Sequence, residues 1–272
     1  MTCRKTQRVA RTSIASVAPA PWRWAAGGLL LGLAIALPAF LPASWLADRV
    51  VAATGAQVQL IDARGSLWTG SARLVLTGGA GSSDAAALPT RLTWRIRPGF
   101  GGLRVALASE CCTPVPLSFD WRPGWRSTSI RVADGQSQWP ASLLAGLGTP
   151  WNTLQLDGEL DLRTQSLSLE WTEGRLAVNG RAEMTAQRMA SRVSTLRPLG
   201  SYRVVLAGGA VPTVQLSTLE GALQLTGNGQ WVGSRLRFTG EATAAPEREA
   251  ALANLLNIIG RRNGARSIIT IG

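Results

Sequence analysis

The fold class this sequence predicts is a mainly β, antiparallel domain behind a single N-terminal transmembrane helix, and three observations predict it. A run of 24 uncharged, mostly apolar residues extends from Trp24 to Ala47. Beyond Gly55 the hydrophobic period changes from 3.6 to 2, the helical and the strand repeat. Turn signals containing Gly and Pro then recur between the alternating runs. The 272 residues, 46% hydrophobic and 16% charged, suffice for one large core or two small ones and are too apolar for a disordered chain.

Residues 1–23 form a leader with Arg4, Lys5, Arg8, Arg11 and Arg23 and no acid. Residues 24–47 are expected to be a signal anchor. At helical rise they span about 36 Å, enough for a hydrocarbon core of about 30 Å. Trp22 and Trp24 stand at one end and Trp45 at the other, where amphipathic rings favour the two membrane interfaces. The basic leader holds the N-terminus in the cytoplasm and sends the remainder across. A cleaved signal peptide is the rival reading, supported by Leu41-Pro42-Ala43 before Ser44. The run is longer than a signal core of about 7–15 residues and follows a long leader, so the anchor is preferred. Pro38 and Pro42 fit a helix end under either reading.

Trp45 to Ala53 continues as a short helix stopped by Gly55. Alternation then predicts strands at Gln57–Leu60, Ala72–Leu76, Leu92–Ile96, Leu154–Leu156, Leu160–Leu162, Leu167–Trp171, Val214–Leu216, Leu223–Leu225 and Leu236–Phe238. Turns are placed at Arg97-Pro98-Gly99, Arg122-Pro123-Gly124 and Ala133-Asp134-Gly135. Pro140 to Leu147 reads as a short helix, and Pro246 to Arg262 as a longer one with a stripe of Leu252, Leu255, Leu256 and Ile259. Ser267 to Ile271 is a final strand. The body is divided into two β lobes, residues 48–140 and 141–272. An internal echo links Gly65–Ala72, Gly174–Ala182 and Gly233–Ala242, either a duplicated unit or the common look of β meanders.

Composition points away from an enzyme. There is no histidine, one lysine, Lys5, and one tyrosine, Tyr202, so the usual general base, the histidine-dependent nucleophile systems and ordinary zinc sites are missing. No cofactor, metal or catalytic residue is assigned. Asp157, Glu159 and Asp161 alternate within one strand, which carboxylate-pair chemistry could use, but a solvent-facing polar side explains them with no further assumption. The net charge of +12 is spread over single arginines beyond the leader, without the dense basic stripe of a nucleic-acid binder. Cys111 and Cys112 are adjacent and could close only a strained ring, so they are expected as small apolar residues rather than a structural disulfide.

Several blocks resemble the type II secretion system protein N family. Gly65-Ser-Leu67-Trp68-Thr-Gly70-Ser-Ala72 resembles its GTLWSGxA signature, and Leu88 to Ile96 with Trp94 its next strand. Gln138–Ser142 resembles a Pro-Ala helix, and Pro198-Leu199-Gly200-Ser-Tyr202 a PLGxY block. Gly227 and Gly229 resemble an LxGxG ending, with Gly240 in the similar tail. The resemblance implies a non-catalytic, inner-membrane-anchored periplasmic component that supports export of folded proteins across the outer membrane. Its implied partners are other type II secretion subunits, the inner-membrane platform and the secretin among them. A weaker likeness to AsmA-like envelope proteins implies the alternative, a lipid-handling binding module. The motif residues are expected to be structural.

Overall fold

The computed structural model describes residues 22–272 apart from Ser234, so the leader lies outside the described residues except for its last two positions. The chain divides into a unit ending at Phe40 and a unit of Leu41–Gly272. The first contains α1 (Trp22–Ala39), 18 residues whose Leu29, Leu30, Leu31 and Leu37 are all exposed. The run predicted as one helix over residues 24–47 is divided. Pro42 has no N–H to continue a helical ladder and disfavours helix at Leu41, and it stands as the N-cap of α2 (Ala43–Ala53). Ala43 and Ala47 are buried in the second unit, so the end of the apolar run belongs to the folded body. Among the described residues no helix is long and apolar enough to cross a membrane.

The second unit is built on one antiparallel sheet, sixteen-stranded among the described residues. Its first strands are β1 (Val58–Gly65), β2 (Thr69–Thr77), β3 (Ala85–Ala87), β4 (Leu92–Gly99), β5 (Gly102–Ser109), β6 (Leu117–Pro123), β7 (Ser127–Val132) and β8 (Gly135–Pro140). A 3-10 helix (Ala141–Leu147) and the single turn α3 (Trp151–Leu154) follow. Then come β9 (Leu156–Thr172), β10 (Arg175–Ser191), β11 (Gly200–Ala207), β12 (Thr213–Gly221), β13 (Leu223–Val232) and β14 (Arg235–Ala244). After α4 (Glu249–Ile259), the short β15 (Arg261–Asn263) and β16 (Arg266–Ile271) close the chain. Apart from β3 against β2, β8 against β9 and the exchange of β15 and β16, spatial order follows chain order.

Register explains the alternation. Met184 pairs with Leu162 on one side and Val204 on the other, and Val204 pairs with Leu216, so one face carries a row of apolar side chains across four strands. The helices cover this face. Leu252, Leu255 and Leu256 of α4 are fully buried over Leu160, Tyr202, Leu223 and Ala242, within a core drawn from residues 139–269. Burial of each leucine is worth about 1.5–3 kcal/mol. A second core, drawn from residues 43–119, packs Ala43 and Leu46 of α2 on Ala72, Trp94, Ile96 and Val105. Leu88, Cys112 and Leu143 form a third between them, with Trp139 touching it and the first. The sheet itself runs on across residue 140, since β7 and β8 both pair with β9.

Several expectations are corrected. The short strands expected at Leu160–Leu162 and Leu167–Trp171 are parts of one strand of 17 residues, β9, bent by positive φ at Gly158 and Ser166. In the strand expected at Leu154–Leu156, Leu154 ends α3, Gln155 caps it in the left-handed region, and only Leu156 enters β9. The helix expected from Pro140 is a 3-10 helix, wedged so closely that a Cβ on Gly146 would lie 2.2 Å from the Leu76 carbonyl oxygen. The last helix stops at Ile259 rather than Arg262, because Gly260 is extended and releases Arg261 and Arg262 to pair with β16. Cys111 and Cys112 are joined in a disulfide, contrary to expectation. Ser109 accepts backbone hydrogen bonds from Cys112 and Thr113, and the tight turn so formed brings the two neighbouring thiols together.

Candidate functional site

The motif residues are brought together by one local device, an aromatic ring laid over glycine. Gly70 on β2 pairs directly with Trp94 on β4, and a Cβ at residue 70 would sit 2.5 Å from the indole Cζ2. The indole N–H donates to the Leu67 carbonyl at 3.0 Å. Leu67, Trp68 and the fully buried Ala72 complete that core. Gly65 opens the β1–β2 turn with φ +93, where a Cβ would meet the Thr69 carbonyl oxygen at 2.5 Å.

The same device recurs twice in the other half. Phe238 on β14 lies across Gly227, Gly229 and Gly240, and a Cβ on any of them would come within 3.0 Å of its ring. Tyr202 on β11 covers Gly200, and its hydroxyl donates to the Leu223 carbonyl at 3.1 Å. Burial pushes the Tyr202 phenol well above its ordinary range. Leu199 is buried and bridges strands, its N–H donating to Met189 at 2.7 Å and its carbonyl accepting from Leu223 at 3.0 Å. Pro198 is exposed beside it. Tyr202 and Leu199 lie in one core and Trp94, Leu67 and Trp68 in another, Phe238 is buried apart from both, and the set does not converge on one cleft.

The acidic trio does not converge either. Asp157 accepts from the N–H of Gly158, while Glu159 pairs with Arg188 at 3.1 Å. Both line a cleft of about 510 Å³ with Cys111, Cys112 and Trp139. Asp161 is buried instead, accepting from the Gln187 amide. Among the described residues no group of three or more His, Cys, Asp or Glu side chains could hold a metal ion.

Sequence reasoning read the turns at residues 97–99 and 122–124 only as turns. The structure shows that each projects an aromatic ring clear of the fold, Phe100 at 106% exposure and Trp125 at 103%. The signal was a repeat, Arg97-Pro-Gly-Phe100 and Arg122-Pro-Gly-Trp125.

A family model described as type II secretion system (T2SS), protein N matches residues 56–269. The match begins after α2, takes in the strands of both cores and covers every motif residue described above. No curated protein and no solved structure matches the chain.

Proposed function

Because the chain belongs to the type II secretion system protein N family, we propose that it is a non-catalytic periplasmic component held at the inner membrane by its N-terminal segment. The match over residues 56–269 carries this reading. It makes the chain a component of the secretion system and implies contact with other type II secretion subunits. The anchor is supported by the apolar run with its basic leader, and by α1, whose leucines are exposed in a helix uncharged beyond Arg23. At about 27 Å, α1 is short of a hydrocarbon core, and Phe40 extends its apolar stretch. An anchored domain meets its partners at raised effective concentration, so docking needs only modest contacts.

The test is co-purification. The full chain, extracted in detergent from cells carrying the secretion system, should bring down inner-membrane platform subunits or the secretin. Recovery of no secretion component counts against the reading.

The AsmA-like alternative, a lipid-handling module, is favoured by one observation. Leu103, Trp121, Ile130, Leu169 and Val178 form a cross-strand row over β5, β6, β7, β9 and β10, with Trp121 36% exposed. Lipid recovered with the purified protein at a fixed stoichiometry by mass spectrometry would favour it.

A further inference from the structure

Successive strands alternate in direction, so the turns β1–β2, β4–β5, β6–β7, β9–β10, β11–β12 and β13–β14 all fall at one end of the sheet. Besides Arg64, Gly65 and Trp68 at β1–β2, where Trp68 packs against a core, four of the other five combine the same three parts, an aromatic ring, a glycine and an arginine. Arg97-Pro-Gly-Phe100 and Arg122-Pro-Gly-Trp125 are two of them. Trp171 with Gly174 and Arg175, and Trp231 with Gly233 and Arg235, are the others. Nothing among the described residues packs over Phe100 or Trp125, and Trp171 is 40% exposed.

Charge is one-sided at this end. Glu173 is the only acid in those four turns, and Arg126 from the neighbouring turn pairs with it at 2.7 Å. Arg97, Arg122, Arg175 and Arg235 are exposed and make no ion pair among the described residues. At the opposite end the loops mix signs, with Asp84, Glu110 and Glu247 among the arginines, and the aromatic-glycine-arginine combination does not recur there.

The chain also enters the β unit at the aromatic end. Leu41 accepts a backbone hydrogen bond from Leu67 at 2.8 Å, and Pro42 bridges to Ser66, both in the β1–β2 turn. The residue that directly follows the apolar N-terminal segment is therefore fixed at the edge that carries the rings.

We propose that this end of the sheet is a lipid-docking edge. The aromatic tips enter the headgroup layer of an anionic phospholipid bilayer while the arginines pair with its phosphates. Rings of this kind favour the interface, and each cation held near an anionic headgroup layer strengthens association about fivefold. The partly exposed row from Leu103 through Trp121 and Ile130 to Leu169 lies just inside the turns and continues the apolar surface onto the sheet. The proposal rests on the anchored reading only for the bilayer that it meets.

The full chain, with Cys3→Ser and one added cysteine at Phe100→Cys, Trp125→Cys or Val115→Cys, is labelled with an environment-sensitive fluorophore. It is then reconstituted into phosphatidylethanolamine–phosphatidylglycerol vesicles. Phe100 and Trp125 make no packing contact that labelling would disturb, and exposed Val115 lies at the opposite end. Labels at 100 and 125 should be quenched by spin-labelled lipid and shielded from iodide, and the label at 115 should show the reverse. Arg122→Glu with Arg175→Glu should weaken the lipid quenching at least fivefold at each changed site. Labels at 100 and 125 that iodide quenches as freely as the label at 115 overturn the proposal. Labels shielded from both quenchers also overturn it, in favour of contact with a second copy. Carbonate extraction of the same vesicles reads the anchor separately, so an embedded chain with aqueous tips loses the docking edge and keeps the anchor.

Discussion

At residue 227 the absence of a side chain is what admits an aromatic ring. A Cβ there would lie 2.4 Å from Phe238 Cζ and 3.0 Å from the Gly240 Cα, with backbone on one side and a buried ring on the other. Neither yields cheaply, so Gly227→Ala should cost about 1–3 kcal/mol, read as a lower denaturant midpoint at unchanged slope. An unchanged midpoint would show that the ring relaxes freely. Tyr202 makes the corresponding point through pH. Its phenol is buried and held neutral, with its pKa raised above the ordinary 10.0, while the unfolded chain ionises normally. The stability this gives is complete below about pH 10 and falls as pH rises beyond it toward the raised value. Tyr202→Phe should cost about 1–2 kcal/mol at neutral pH, because the Leu223 carbonyl loses its donor, and should flatten the alkaline fall. Tyr202 is the only tyrosine, so phenolate absorbance on raising the pH reports it alone.

At the scale of elements, legibility followed how completely each segment's burial is written in its own period. The strands at Leu92–Ile96 and Leu223–Leu225 alternate because one face meets a core and the other meets water, and they fall within β4 and β13. The stripe Leu252, Leu255, Leu256 marked α4 for the same reason. The strands β6 and β7 were not read. Leu117-Ser-Phe119-Asp-Trp121-Arg alternates strictly and Ile130-Arg-Val132 does so in part, so the signal was present, but the runs are short and their apolar residues are half-buried at most. The length of β9 was hidden because an extra residue at Ser166 shifts the parity of its alternation, from even positions at Leu160 and Leu162 to odd ones at Leu167 and Leu169. The division of residues 24–47 turned on Pro42, where composition favoured one helix and backbone chemistry required two. The motif residues were named as a set from their blocks in the sequence, and their shared ring-over-glycine packing is a cross-strand relation that a linear reading does not contain. The echo is clearer in three dimensions, since Gly65, Gly174 and Gly233 each turn a hairpin with positive φ at the same end of the sheet.

Across the whole β unit, two large cores share one sheet, and the question is whether they melt together. The core of residues 43–119 lies under α2 and the core of residues 139–269 under α4, which alone would favour two steps. The strands argue the other way. The long β9 pairs with β10 along its length and, on its other flank, with β8 over residues 159–164 and β7 over residues 168–172. Separating the halves would strip one flank of β9 and expose its backbone groups, while Trp139 would leave the two clusters it touches. We therefore expect one cooperative unfolding transition for residues 41–272. Leu255→Ala, a cavity worth about 2–5 kcal/mol in the second core, should lower the midpoint seen by the near-ultraviolet signal of Trp94 in the first core as much as that seen by far-ultraviolet dichroism. If the Trp94 signal, isolated by its loss in Trp94→Phe, keeps its midpoint while the dichroism splits into two steps, the halves fold independently and the sheet is only a seam between them.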